Sequence, residues 1–161
     1  MVKIAIGVGT NLGDRTSNIR KAYERIDYLY GIEILKTSHI YRTKPIGNIH
    51  QPDYYNAVLT ADTYFTPEYI LTRLLEIEAS LGRHRNGVKW GQRIIDLDLL
   101  IYGSSFFSSK DIICPHPELH RRKFVLVPLM DCWHEWKHPA YYLTPKELLR
   151  KINERDEPIR V

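Results

Sequence analysis

Asp96 and Asp98 stand one residue apart in the run Arg93-Ile94-Ile95-Asp96-Leu97-Asp98-Leu99-Leu100-Ile101-Tyr102, whose other members are mostly apolar. Such a run reads as a strand. Alternation along it puts Ile95, Leu97, Leu99 and Ile101 on one side and both aspartates on the other. At ~3.3 Å of rise per residue, the two aspartate Cα atoms lie roughly 7 Å apart. Carboxylates at that separation repel by ~2 kcal/mol at an effective dielectric of ~20, and aspartate also fits a strand poorly. A sheet gains nothing from the pair, so the spacing points to a cation that offsets it. Oxygen donors select hard cations, and magnesium commonly takes one or two carboxylates together with substrate phosphates. Taken alone, a short Asp-x-Asp is equally a solvated or arginine-paired couple on an exposed face.

The preceding segment changes the weighing. Gly82-Arg83-His84-Arg85-Asn86-Gly87-Val88-Lys89-Trp90-Gly91-Gln92-Arg93 holds four lysines and arginines, three glycines and a tryptophan. Arginine forks match phosphate oxygens, and a glycine-rich loop can close over a ligand. Acid for a metal and base for a phosphate, adjacent in the chain, make a nucleotide site the economical account. Glu78 flanks the apolar stripe of the preceding helix, where it either joins that site or simply meets solvent or an arginine. On another expected strand, Tyr54 and Asn56 share one side and Tyr55, Ala57 and Leu59 the other. Tyr54 and Asn56 offer a stacking face and an amide edge to a flat heterocycle, or are an ordinary surface pair.

These side chains need a frame. Lys3 to Val8 reads as a buried strand, followed by a turn, Gly9 to Asp14, and a helical stripe of Ile19, Ala22, Tyr23, Ile26 and Leu29 with Asp14 or a nearby hydroxyl as its cap. Strands from Ile32 to Tyr41 and from Tyr54 to Thr63 flank a loop holding Pro45, Gly47 and Pro52. Thr66-Pro67-Glu68 opens a second helix with the stripe Ile70, Leu71, Leu74, Leu75, Ile77 and Leu81, which ends at Gly82. The acidic strand runs from Arg93 to Tyr102, and further helices follow Pro117 and Pro145. Strand-helix-strand-strand-helix-strand predicts an α+β, ferredoxin-like βαββαβ core. Its antiparallel sheet carries helices on one face, leaves the other for binding, and is followed by C-terminal additions.

The 161 residues fit one domain spanning 1–161, and the net charge of +4 is concentrated around Arg83 to Arg93 and at Arg121 and Arg122. Cys114 and Cys132 form no CxxC pair, the N-terminus lacks the apolar run of a signal peptide, and no stretch reaches the ~20 apolar residues of a membrane span. A reduced, cytoplasmic protein is expected. Gly7 to Gly13 has one residue too many for a dinucleotide fingerprint. His116 and His120, and Cys132, His134 and His138, match no recognised metal spacing.

Several blocks together resemble the 6-hydroxymethyl-7,8-dihydropterin pyrophosphokinase family. They are Gly9 to Asp14, Tyr41-Arg42-Thr43-Lys44-Pro45-Ile46-Gly47, Gln51 to Ala57, Glu78 through Arg83, Trp90 to Leu99, Pro115-His116-Pro117, and Arg122-Lys123-Phe124 with Pro128-Leu129. The resemblance implies pyrophosphate transfer from ATP to the pterin hydroxymethyl group with release of AMP, in folate biosynthesis. It implies two Mg2+ ions between Asp96, Asp98 and the ATP phosphates. It also implies nucleotide contacts from Arg83, Arg93, His116 and Arg122 with help from Glu78 and Leu99, and a mobile loop bearing Arg83, Arg85 and Trp90. Tyr54 and Phe124 would sandwich the pterin, Asn56 would read its polar edge, and Thr43, Pro45 and Ile46 would line its pocket. Catalysis would rest on Arg83, Arg93, Asp96 and Asp98, with no general base assigned. The partners implied are these two small molecules, without nucleic acid or membrane, and the chain would act as a monomer.

Two rivals share the sequence features. A ferredoxin-like RNA-binding module would use the basic balance and strand aromatics, but carboxylates on the fourth strand repel a phosphate chain. An Asp-x-Asp glycosyltransferase would use the metal pair on a sugar nucleotide.

Overall fold

In β1 (Val2–Thr10), Ile4, Ile6 and Val8 belong to one apolar cluster and Ala5 to another, so this strand divides two cores. The computed structural model describes residues 1–45, 51–83, 92–153 and 157–161. After β1 comes α1 (Arg15–Asp27), whose N-terminus is capped by Asp14 accepting from the Ser17 N–H at 3.0 Å. β2 (Ile32–Thr37) and β3 (Tyr41–Thr43) both pair with β4 (Tyr54–Thr63), and α2 (Pro67–Ser80) starts from a Thr66 cap with proline in its first turn. β5 (Asp96–Tyr102) follows, then a small hairpin of β6 (Phe107–Ser108) and β7 (Ile113–Cys114). A 3-10 turn at Leu119–Arg121 leads into α3 (Lys123–Trp133), then α4 (Pro145–Leu149) and β8 (Ile159–Arg160).

The main sheet runs β5-β1-β4-β3-β8, with β2 also on β4. Its pairings are antiparallel, and β1, α1, β2, β4, α2 and β5 give the expected α+β, ferredoxin-like order. α1 and α2 pack on the face of Ile4, Ile6, Val8, Ala57, Leu59, Leu97 and Leu99. Among the described residues no helix is long and apolar enough to cross a membrane.

Three expectations need correction. The strand expected from Ile32 to Tyr41 is broken, because Ser38 leaves the ladder: its N–H and hydroxyl both engage the Val58 backbone. Ile101 does not share a side with Leu97 and Leu99. A register shift opposite Ala5 and Ile6 inserts Leu100 as an extra residue, and Leu100 and Ile101 join the second core with Ala5, Val58, Leu119, Leu126 and Leu129. Consequently the sheet's second face is not wholly open. α3 and α4 cover the part beside Val58 and Leu100, and only the end bearing Asp96 and Asp98 is left to binding.

Candidate active site

The edge strand β5 begins at Asp96, not at Arg93, and lies antiparallel to β1 with Asp96 opposite Gly9 and Asp98 opposite Gly7. The register is regular here, so both aspartates leave the same face, as alternation predicts. Space beside them is tight. A Cβ on Gly9 would stand 3.2 Å from Asn56 Oδ1 and 3.9 Å from the Asp96 Cβ, and one on Gly7 would stand 3.1 Å from Leu100 Cδ1. Asn56, on β4, thus borders Asp96 across Gly9.

Arg83 lies at the end of α2 and reaches both Glu78 and Asp96; its Nη1 donates to Asp96 Oδ1 at 2.5 Å and pairs with Glu78 Oε1. Burial alone would lower the Arg83 pKa, but the Asp96 and Glu78 charges and their hydrogen bonds outweigh it and raise it. Arg93 pairs with the other Asp96 oxygen. Glu78 is only 2% exposed and takes the Leu97 N–H at 2.7 Å, so it backs the strand from inside instead of flanking the stripe toward water. Among the described residues none forms an ion pair with Asp98. Burial, then the like charges of Asp96 and Glu78, push its carboxyl up to about 6 against the pull of Arg122 and Arg93.

Asn11 was unread as a site residue in the sequence. Its backbone N–H donates to the Arg93 carbonyl at 3.0 Å and its Oδ1 accepts the Arg93 N–H at 2.8 Å. Thr10 adds a bond from its hydroxyl to the Ile94 carbonyl at 2.7 Å. The turn after β1 therefore fixes where Arg93 leaves the backbone. The only sequence signal was a buried-strand ending in Thr-Asn, two side chains able to bond backbone.

On the second wall, the His116 N–H donates to the Leu100 carbonyl at 2.8 Å, and its Nδ1 accepts from the Glu118 N–H at 3.1 Å. Accepting at Nδ1 leaves Nε2 as the protonated nitrogen, and burial, then the nearby Arg122 charge, lower the His116 pKa and keep it neutral. Arg122 sits at the N-cap of α3, its guanidinium 5.7 Å from the centre of the Phe124 ring. Asn56 is 8% exposed and donates from Nδ2 to Thr43 Oγ1 at 2.7 Å, joining β4 to β3. The half-buried Tyr54 hydroxyl is raised in pKa by burial, with Arg93, Asp96 and Arg83 close enough to act on it.

Most expected residues therefore meet around one end of the sheet. Leu99 is 3% exposed in the α1–α2 core, so any part it takes in nucleotide binding goes through its main chain. Arg85, Trp90 and Ile46 lie outside the described residues.

The donor set suits a hard divalent ion. Among the described residues no three His, Cys, Asp or Glu side chains converge to form a closed metal cage. Two carboxylates on one face, one of them pushed toward protonation by burial and by its acidic neighbours, leave coordination positions for phosphate oxygens and water. Arginines at hand, a neutral histidine donor and a carboxylate pair are the groups that a metal-assisted transfer from a polyphosphate would use.

Comparison with known proteins makes the class specific. Residues 5–134 match the family model described as 7,8-dihydro-6-hydroxymethylpterin-pyrophosphokinase. The 2-amino-4-hydroxy-6-hydroxymethyldihydropteridine pyrophosphokinase of Haemophilus influenzae is 37% identical over 81% of this chain and 81% of its own length. The Aquifex aeolicus enzyme of that name is 36% identical over 91% of this chain and 90% of its own. A folic acid synthesis protein of Pneumocystis carinii is 39% identical over 95% of this chain, which spans 20% of that longer protein. A crystal structure of an HPPK-DHPS protein in complex with substrates shares the fold, with a TM-score of 0.73 at 14% identity over 92% of this chain and 43% of that one. The chain belongs to the 7,8-dihydro-6-hydroxymethylpterin-pyrophosphokinase family. It is an ATP-dependent diphosphotransferase of folate biosynthesis, carrying pyrophosphate from ATP to hydroxymethyldihydropterin.

Proposed function

We propose that this chain performs its family's transfer with Asp96 and Asp98 holding two Mg2+ ions against the ATP phosphates. The observation that carries the reading is the pair itself: two carboxylates on one face opposite Gly9 and Gly7, with Arg83 and Arg93 already at Asp96. Bound magnesium would neutralise the polyphosphate and polarise the phosphorus under attack. Arg83 and Arg93, drawn from Asp96 toward the phosphates, stabilise charge that develops as AMP departs. His116 donates from Nε2 to a phosphate oxygen, and Arg122 adds a further cation. Leu99 lends its backbone and Glu78 holds Arg83 in reach, while Arg85 and Trp90 serve as further nucleotide contacts, as the family resemblance implies. Tyr54 and Phe124 stack the pterin, Asn56 reads its edge, and Thr43, Pro45 and Ile46 line the pocket. The pterin hydroxymethyl oxygen attacks the β-phosphorus, and alignment, not a protein nucleophile, supplies most of the acceleration.

The chain works as one domain and one monomer on these small molecules, in the cytoplasm. Free, buried Cys114 and Cys132 suit a reducing compartment, and the acidic strand end disfavours a nucleic-acid backbone. Incubation with Mg-ATP and 6-hydroxymethyl-7,8-dihydropterin should release one AMP for each pyrophosphorylated pterin, and Asp96→Ala or Asp98→Ala should abolish release while the fold persists. Undiminished magnesium-dependent turnover in both variants would reject the assignment. RNA binding in place of turnover would favour the rival module.

A further inference from the structure

Residues 157–161 link β3 and α3, two of the elements that carry the proposed pterin contacts. β8 pairs with β3, setting Tyr41 opposite Arg160 and Arg42 opposite Ile159, and the Val161 N–H donates to the Ile40 carbonyl at 3.0 Å. β3 has three residues, and its inner edge places Tyr41 opposite Asn56 and Thr43 opposite Tyr54. A strand this short holds its place through its neighbours on both sides. The same tail also grips α3: Glu157 forms an ion pair with Lys123, the first residue of that helix. Lys123 is 7% exposed, whereas the Glu157 side chain is 71% exposed, so a carboxylate descends from solvent onto a buried ammonium. An ammonium in that position is stabilised by an acidic partner, and Glu157 is one. Lys123 lies between Arg122 and Phe124 in the chain.

We propose that residues 157–161 form a strap that positions the pterin site, through β8 on the Thr43 side and through the Glu157–Lys123 pair on the Phe124 side. The strap lies beyond residues 5–134, the part matched by the family model. Among the described residues its bonds go to β3, to Ile40 and to Lys123 and none to the aspartates or to the arginines at Asp96, so it acts first on the pterin pocket. Glu157 and Ile159 are positioning residues. The inference rests on the reading that Thr43, Tyr54, Asn56 and Phe124 hold the pterin.

Steady-state kinetics on full-length Glu157→Gln and Ile159→Pro tests it. The first removes the charge, and the second removes a backbone donor from β8. Both should raise the pterin KM about fivefold or more while the ATP KM and kcat stay within about twofold, a split that a general loss of folded protein does not produce. In a Lys123→Met background, where the buried charge is gone, Glu157→Gln should have no further effect on the pterin KM. Should Ile159→Pro fail to fold, Glu157→Gln and its double variant decide the matter alone. An unchanged pterin KM in folded Glu157→Gln overturns the strap, as does a parallel rise in both KM values. Phe124→Ala serves as the reference. If it leaves the pterin KM unchanged, the pterin pocket is misplaced and the strap falls with it. If it raises that KM while the tail variants do not, only the strap fails.

Discussion

Glu78 accepts the Leu97 backbone N–H at 2.7 Å through the same oxygen that takes the Arg83 guanidinium. Leu97 is the residue between the two aspartates. One buried carboxylate on α2 therefore sets both the acidic strand and the cation facing it. Both partners offset its cost of burial.

Glu78→Ala should accordingly lower stability by about 2–4 kcal/mol, since it leaves the Leu97 N–H without its acceptor and Arg83 without one of its acids. Urea denaturation at neutral pH measures this. A drop under about 0.5 kcal/mol would mean that neighbouring groups re-pair without loss.

Asp98 gives a pH signature. Its folded pKa of about 6 exceeds the usual aspartate value near 3.8, so the folded state binds the proton more tightly than the unfolded chain. The group's contribution is fully present below about 4 and is lost as pH rises through about 6, a swing of up to ~3 kcal/mol. Without metal, Asp98→Asn should therefore be more stable than the parent at pH 7.5, with the gap closing toward pH 4. Saturating magnesium and nucleotide should shrink the gap by stabilising the parent. Stability curves of the two proteins that run parallel from pH 4 to 7.5 would contradict this account.

Arg83→Ala should slow the chemical step by roughly 100-fold and weaken ATP binding by less than about tenfold, because the proposed role sets the guanidinium at the transferring group and not at the base. Rapid-quench single turnovers beside equilibrium ATP titration separate the two quantities. Loss of affinity with an unchanged single-turnover rate would place Arg83 in binding only.

Asp131 shows the opposite sign. Burial would raise its pKa, but hydrogen bonds from the His39 backbone and ring and from the Tyr41 hydroxyl hold it below the usual range. Its stabilisation is present above the ordinary carboxylate range and lost as pH falls through the folded value. Asp131→Asn should cost about 1–2 kcal/mol near pH 7, and the parent and variant curves should converge as pH falls through the folded value of Asp131. A constant difference down to pH 3 would show that the charge is immaterial there.

What could be read in the sequence was local. The common face of Asp96 and Asp98 follows from strand geometry over three residues, and Asp14 and Thr66 were legible as helix caps because capping is decided within a turn. The common face of Tyr54 and Asn56, opposite Ala57 and Leu59, was legible for the same reason. Features that depend on a partner strand were not. The side change at Ile101 arises from the bulge against Ala5 and Ile6, and no pattern within residues 93–102 announces it. The break at Ser38 depends on Val58, twenty residues away in the chain. Glu78 looked like a boundary residue on the helix wheel because burial there is set by Leu97 and Arg83, which come from elsewhere. The covering of the second face by α3 and α4 rests on long-range packing of Leu126, Leu129 and Leu148, which carried no motif.

The bulge at Leu100 does more than redirect one side chain. By folding Leu100 over Gly7 and sending Ile101 to the α3 side, it ends the aqueous half of that face abruptly and begins a hydrocarbon one within a single residue of Leu99. A divalent ion at Asp98 would thus stand with water on one flank and an oily, weakly polarisable bank on the other. Field lines from such an ion would be pressed toward a bound phosphate instead of being spent in solvent. Replacing Leu100 by serine would wet that bank and weaken every charge interaction along it without touching an ionisable group.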